Sequence, residues 1–308
     1  MMRSGAAWLS VAALFLLAIL GALATYLLSS PAIPQRSSFE LDLQELRKLA
    51  VVHPGALPRR VNVAIVAESS KPAAGVLGGM RFDKSILVWT SFQVVAPDRS
   101  IVIDAPPDET FHREGRPSDL FFTESYDAVQ QAMLDADVIL VTHEHPDHIG
   151  GIARSAYLTR VVDRLLLTTE QARNGSAMRP VAFPRGLVRS LSPLDYDQYH
   201  PLAPGVVLVR APGHTPGSQI VYVRLDNGAD LLLVGDVAWH RTHLEEPRGK
   251  PLVTSWLMGE DHDAVANQLR TLQELSESSN VHVVISHDRE QLASHIAQGI
   301  LDSGFERR

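Results

Sequence analysis

The sequence contains no cysteine, so neither a disulfide nor a thiolate metal ligand can form, and any metal site must use histidine, carboxylate and water. Positive charge is in deficit: 28 Lys and Arg stand against 35 Asp and Glu, for a formal net charge of −7. That balance argues against a broad electrostatic grip on nucleic acid or anionic lipid, while leaving room for a local basic pocket. Repeats at solenoid spacing and low-complexity tracts are also missing, so a solenoid or repeat array is not expected. What is present, 308 residues that are 45% hydrophobic and 20% charged, suffices for one large globular domain or two small ones.

One long apolar run stands out. Ala6 to Leu28 carries no charge, and at about 1.5 Å per residue it spans roughly 34 Å as a helix, enough for a hydrocarbon core of about 30 Å. An uncleaved membrane anchor plus linker is therefore expected over residues 1–36. Arg3 would lie on the cytoplasmic side and the remainder outside, periplasmic in a bacterium. The alternative is a signal peptide cleaved after Ala22-Leu23-Ala24, which gives a secreted protein. Pro31, Pro34, Pro54 and Pro58 bracket a short helix within Phe39–Ala50, so 37–60 reads as helix and linker, and 61–308 as the main domain.

The main domain opens with strand patterns at Val61–Val66, Ile86–Val95 and Ile101–Ile103, then an apolar strand at Val138–Val141. Further strands are expected at Arg164–Leu167, Val206–Val209, Ile220–Val223, Leu231–Val234 and Val281–Ile285. Helices are expected around Asp127–Asp135, just after His148, and at Glu260–Leu275 and Arg289–Leu301. Strand runs with helices between them indicate sheets covered by helices, a layered α/β or α+β architecture.

The chemistry concentrates in Thr142-His143-Glu144-His145-Pro146-Asp147-His148-Ile149-Gly150-Gly151. His143 and His145 are two apart, so in an extended segment their rings point the same way. Asp147 and His148 follow where the chain bends, at a strand's carboxyl end, where open α/β sheets gather ligands. A solvated histidine-rich loop would leave three further features unexplained. His214 sits in a Pro/Gly-fixed turn after Val206–Val209, Asp236 ends the apolar strand Leu231–Val234, and His287 ends Val281–Ile285. Buried strands finishing on a lone Asp or His bring those groups to a common edge, where a divalent cation is the natural partner for them.

These residues resemble the metallo-β-lactamase superfamily, over about Val61 to Leu301. The resemblance implies a four-layer αββα sandwich as the catalytic domain. It implies one metal on His143, His145 and His214, a second on Asp147, His148 and His287, and Asp236 bridging them. Asp104 matches the aspartate that the family places behind the site. Two divalent cations, zinc first and iron or manganese as alternatives, would share a hydroxide, lower its pKa and polarise a substrate oxygen. Asp147 could also pass a proton to the leaving group.

Absences narrow the substrate. Lactamases with a cysteine ligand are excluded, and other true β-lactamases of the family usually lack a bridging aspartate. The ligand set resembles lactonases, glyoxalase II-type thioesterases and phosphodiesterases. The acidic balance argues against nucleases, and little chain follows His287 to build the glyoxalase II helical domain. A small ester, lactone or thioester is the expected substrate. An exported phosphodiesterase, a β-lactam hydrolase and a non-enzymatic metal or ligand sensor are the alternatives.

Ser69–Met80, read as a mobile loop, Asn174–Pro201 and Trp239–Asp261 are expected to build the pocket. Trp239 and His240 are candidate substrate contacts. Related lactonases place a tyrosine at the position of Trp239, whose indole offers no hydroxyl. His53, His112, His200, His262, His282 and His295 are expected at the surface or in packing, and Glu144 and Asp288 in solvent.

Overall fold

The computed structural model describes residues 3–184, 186–246, 248–277 and 280–307. Its first sheet is built from β1 (Arg60–Pro72), β2 (Lys84–Val95), β3 (Ser100–Ile103), β4 (Leu120–Phe121), β5 (Val138–Leu140) and β6 (Leu165–Leu166). The second comprises β7 (Tyr199–Ala203), β8 (Val206–Arg210), β9 (Gln219–Arg224), β10 (Asp230–Leu233) and β11 (Val281–Val284). A last short strand, β12 (Asp302–Ser303), returns to β1, giving the orders β12-β1-β2-β3-β5-β6, with β4 also on β1, and β11-β10-β9-β8-β7.

Strand alternation generates the layers. Successive strand side chains point to opposite faces. Ile101 and Ile103 of β3 accordingly join Val206 and Leu208 of β8 in the core between the sheets. Val102, between the two isoleucines, faces outward against Val129 and Met133 of the helix Thr123–Asp135 and Ile149 of the helix Pro146–Ala153. On the other side, Val207 and Val209 pack against Leu269 and Leu272 of the helix His262–Ser276. Each sheet is thus apolar on both faces and covered by helices outside, the expected αββα sandwich. The helix Leu43–Leu49, N-capped by Asp42, contributes fully buried Leu46 to the outer core of the second sheet.

Chain direction then fixes where chemistry can sit. β3 and β5 are parallel, as are β10 and β11, and β8 runs with β10 because both are antiparallel to β9. The carboxyl ends of these strands lead to Asp104, His143, His214, Asp236 and His287. Ligand-type residues therefore collect at strand carboxyl ends of both sheets.

Three expectations are corrected. The run Ala6–Leu28 does form a helix, Arg3–Leu27, yet among the described residues no helix is long and apolar enough to cross a membrane. The membrane anchor, the membrane partner and the extracytoplasmic placement built on it are not upheld. Second, Ser69–Met80 is largely ordered structure: Ser69, Ser70 and Lys71 continue β1 opposite Leu87, Ile86 and Ser85, and Ala73–Leu77 is helical. The glycines misled, since of Gly75, Gly78 and Gly79 only the last two take positive φ, at 75° and 73°. Third, of the described residues in Asn174–Pro201 only Asn174 to Pro180 line the pocket, while the segment's end is strand, Pro201 being tolerated on β7, an edge strand with a register shift beside it.

Gly151 shows how closely the first helix after the histidine motif is seated. A Cβ there would lie 2.3 Å from the Pro106 carbonyl oxygen and 2.8 Å from that of Ala105. Alanine gains about 1 kcal/mol of helix propensity over glycine, but a clash with backbone outweighs it, as overpacking costs about 1–3 kcal/mol. Gly151→Ala should lower the thermal midpoint, whereas Gly175→Ala, with open space around its Cβ, should not. Equal midpoints for the two variants would refute this packing.

Candidate metal centre

β5 ends at Leu140, and after Val141 the chain bends through Thr142, His143 and Glu144 to His145, the N-cap of the helix Pro146–Ala153. Pro146 opens that helix because an N1 residue needs no N–H partner. Asp147 and His148 follow in its first turn. Gly235 permits the next approach: its φ is 52°, and a Cβ would stand 2.8 Å from the Thr142 side chain. The following Asp236 is thereby pushed into the middle of the histidines.

Two groups of ligand-type side chains result, His143, His145, His214 and Asp236 in one and Asp147, His148 and His287 in the other, each with its ligand atoms within 4.8 Å of one another. In the first, His145 Nδ1 lies 3.1 Å from His143 Nε2 and 2.9 Å from His214 Nε2. In the second, His148 Nε2 and His287 Nε2 are 3.3 Å apart, and Asp147 Oδ2 is 3.9 Å from His287 Nε2. The Asp236 carboxylate divides between them. Its Oδ2 is 3.2 Å from His214 Nε2 and 3.7 Å from His143 Nε2. Its Oδ1 is 2.8 Å from His287 Nε2 and 3.1 Å from His148 Nε2.

The outward nitrogens identify what the inward ones can do. His148 Nδ1 faces Asp104 Oδ2 at 2.8 Å, His214 Nδ1 faces Glu260 Oε2 at 2.8 Å, and His287 Nδ1 faces the Val88 carbonyl at 2.7 Å. These partners accept, so each Nδ1 carries a hydrogen, and a ring in its neutral form turns an Nε2 lone pair inward. Lone pairs facing one another and a carboxylate at about 3 Å repel unless a cation lies between them. The donor set, imidazole plus carboxylate, fits divalent zinc, iron or manganese, and acceptor partners behind ligating histidines are the usual support of such sites.

The electrostatics follow from burial and crowding. Burial, then the neighbouring His148, pushes His143 well below the usual imidazole range, and burial with His214 pushes His145 down to about 4. Burial opposes charge on His148 as well, but Asp104 and Asp236 outweigh it and raise that ring. Asp236 is held well below the carboxylate range, because His287, His143, His148 and His214 overcome its burial.

Asp104 ties the two sides together. It is the one non-glycine residue with positive φ among the described residues, at 61°, and it accepts from Thr142 N at 2.6 Å and Thr142 Oγ1 at 2.9 Å as well as from His148. The strained backbone is held by these bonds.

Several groups not singled out from the sequence also belong here. Glu260, held down to about 2 by Lys250 and His214 against its burial, accepts from Lys250 Nζ at 2.7 Å. The same Nζ donates to the Asp236 carbonyl at 2.8 Å. Glu144 and Asp288, expected in solvent, are buried. Glu144 accepts from Asn174 Nδ2 and Thr215 Oγ1, and Asp288 caps the helix Arg289–Ala297 and accepts from Arg241 N.

A cavity of about 740 Å³ opens onto the centre, with His145, Asp147, His214, Asp236 and His287 in its floor. Trp239 forms part of the wall, and its indole Nε1 donates to Asp236 Oδ2 at 2.7 Å. His240 is placed elsewhere, in a neighbouring depression beside Asp288 and Arg289. His243 is also a packing residue: its Nε2 meets the Val76 carbonyl at 3.0 Å, and burial pushes it down to about 3.

Comparison with known proteins agrees with this geometry. The family model for the metallo-beta-lactamase superfamily matches residues 87–287, and the chain belongs to that superfamily. It is 29% identical over 160 residues to the N-acyl homoserine lactonase AttM of Azorhizobium caulinodans, covering 50% of this chain and 59% of that one. The chain thus spans less than two thirds of the length of this relative. Among solved structures, an N-acyl homoserine lactone hydrolase with N-hexanoyl-L-homoserine at its catalytic metal centre superposes with a TM-score of 0.60 at 16% identity, covering 77% of this chain and 96% of that chain. The dizinc quorum-quenching lactonase AidC gives 0.52 at 15% identity, covering 75% and 89%. At these identities, the likeness is one of fold.

The two-sided role of Asp104 yields a prediction. Asp104→Ala removes three hydrogen bonds and leaves His148 Nδ1 only the longer contact to Thr142 Oγ1 at 3.2 Å, so metal affinity should fall about 10–100-fold, measured by competition with a chelator. Unchanged affinity would mean that His148 is oriented without it.

Proposed function

We propose that this chain is a metal-dependent hydrolase with a dinuclear centre, acting on a small ester, lactone or thioester. The observation that carries the reading is the division of the Asp236 carboxylate, one oxygen toward His143 and His214 and the other toward His148 and His287. In this reading His143, His145 and His214 hold one ion, Asp147, His148 and His287 the other, and Asp236 bridges. AttM, whose name specifies a lactone substrate, and the dizinc AidC support the substrate class and zinc. When bound, such a pair of ions supplies an activated water and polarises the scissile carbonyl.

The protein's own groups do the rest. Asp147 is less buried than Asp236 and lines the cavity, so it is placed to carry a proton to the departing oxygen or sulfur. Trp239 offers no hydroxyl to a substrate oxygen, and its N–H is committed to Asp236. It acts instead as a wall that fixes the Asp236 orientation. Val76, Leu87, Trp89 and Phe111 line the same cavity and exclude water from the acyl portion.

The zinc-reconstituted chain should hold about two equivalents by mass spectrometry and hydrolyse members of a panel of aryl esters, thioesters and N-acyl homoserine lactones. Asp236→Ala and Asp236→Asn should each lose at least one ion and lower kcat/KM by several orders of magnitude. Retention of two ions with near-normal turnover would refute the bridge. Turnover of bis(p-nitrophenyl) phosphate alone would refute the substrate class.

A further inference from the structure

The cavity carries a feature that ester cleavage alone does not need. Lys71, at the end of β1, and Arg116, after the helix Glu109–Gly115, both line it, and Arg179 lies at its exposed rim. This is a cationic wall in a chain whose net charge is −7. Among the described residues neither Lys71 nor Arg116 forms an ion pair. Arg116 instead lies over the Trp89 ring, 4.6 Å from its centroid, a stacking that leaves the guanidinium edge free to donate. The nearby acids are occupied: Asp119 meets His112 Nδ1 at 3.0 Å, and Asp147 belongs to the metal-binding group. Burial and then Arg116 lower the Lys71 ammonium, with Asp119 and Asp147 opposing them without reversing the shift, which places the two cations within each other's field.

The other polar side chains of the lining are already engaged. Asn174 Nδ2 and Thr215 Oγ1 donate to Glu144, Ser176 Oγ donates to Asn174, and Trp239 Nε1 donates to Asp236. Apart from Arg179 at the exposed rim, Lys71 and Arg116 are therefore the donors left over in the cavity wall. Half-buried cations that face each other with no direct ion-pair partner are unfavourable, and an anion between them relieves that cost.

We infer that Lys71 and Arg116 form a subsite for a carboxylate carried by the substrate, so that the preferred substrate is an anionic ester, lactone or thioester. Its reacting carbonyl sits at the metal centre, its aliphatic part lies along Leu87, Trp89 and Phe111, and its carboxylate reaches the two cations. This inference rests on the hydrolase reading for its substrate, but the cationic subsite can be tested apart from turnover.

The zinc-loaded full chain should be assayed with monophenyl adipate and phenyl hexanoate, which differ in a terminal carboxylate against a methyl group. The expected ratio of kcat/KM, anionic over neutral, is about ten or more, carried by KM. It should fall toward one in Lys71→Met and Arg116→Met and further in the double variant, while metal content stays at the wild-type level. A wild-type ratio near one, or a ratio unmoved by the substitutions, overturns the inference. In parallel, adipate and its neutral diamide should be titrated while following tryptophan emission, since Trp89 lies beneath Arg116. Saturable binding of adipate alone, lost in the double variant, supports the subsite. Adipate binding that persists in the double variant is coordination to the metal and overturns it. Failure to hydrolyse either ester, with Lys71-dependent adipate binding intact, refutes the hydrolase reading and leaves the carboxylate subsite standing.

Discussion

A buried carboxylate among buried imidazoles sets the terms for everything around it. Asp236 is surrounded by His143, His148, His214 and His287, none of which has free access to water. In such a low-dielectric space an uncompensated charge is costly, so neither the aspartate nor the histidines could be present alone. The arrangement also needs the rings to keep one tautomer, and that is why acceptors stand behind them: Asp104, Glu260 and the Val88 carbonyl. Each of these acceptors comes from a different part of the chain. The site therefore couples both sheets, and any change that shifts one sheet against the other moves lone pairs out of convergence.

The sandwich can be understood from the same constraint. Strands covered on both faces are rich in apolar side chains; the polar exceptions inside them are tied to partners, as Asn62 donates to Gln93, and the ligand-type groups lie beyond the strand ends. Parallel arrangement of β3 with β5, and of β10 with β11, turns separate strand ends into one edge. Lys71 at the end of β1, with Arg116 and Trp239 beyond the strands, stands around the floor of the cavity, where pocket chemistry can vary without disturbing either core.

Much of this was legible in the sequence because the signals were local. The His143–His148 motif, the lone Asp236 and the lone His287 each followed an apolar run, and the alternation of Ile101–Val102–Ile103 and Val206–Val209 encodes strands with two covered faces. Signals that depend on distant partners were not legible. Glu260 and Lys250 meet only because the chain folds back from the helix Leu252–Met258, and nothing at either position distinguishes them from surface charges. Glu144 and Asp288 look equally exposed in sequence, yet both are buried by hydrogen bonds to Thr215, Asn174 and Arg241 N. The apolar run at the N-terminus misled in the opposite sense. Composition suggested a membrane span, while the described part of the helix does not reach the length and apolarity for one.

The buried Lys250–Glu260 pair shows why such groups persist despite a poor return in stability. Desolvating two charges costs several kcal/mol per ion before their attraction is counted, and a well-packed apolar pair often stabilises a fold as well or better. Stability alone would thus favour replacing both. The pair does something that an apolar pair cannot: Glu260 accepts the His214 Nδ1 hydrogen while Lys250 Nζ holds the Asp236 backbone carbonyl. One ion pair fixes the ring of His214 and the backbone of Asp236 at once, two residues whose side chains stand 3.2 Å apart. Replacing it with leucine and methionine would leave the core filled but would free His214 to rotate and Asp236 to retreat. The energetic argument and the positional one therefore point in opposite directions, and the sequence follows the positional one.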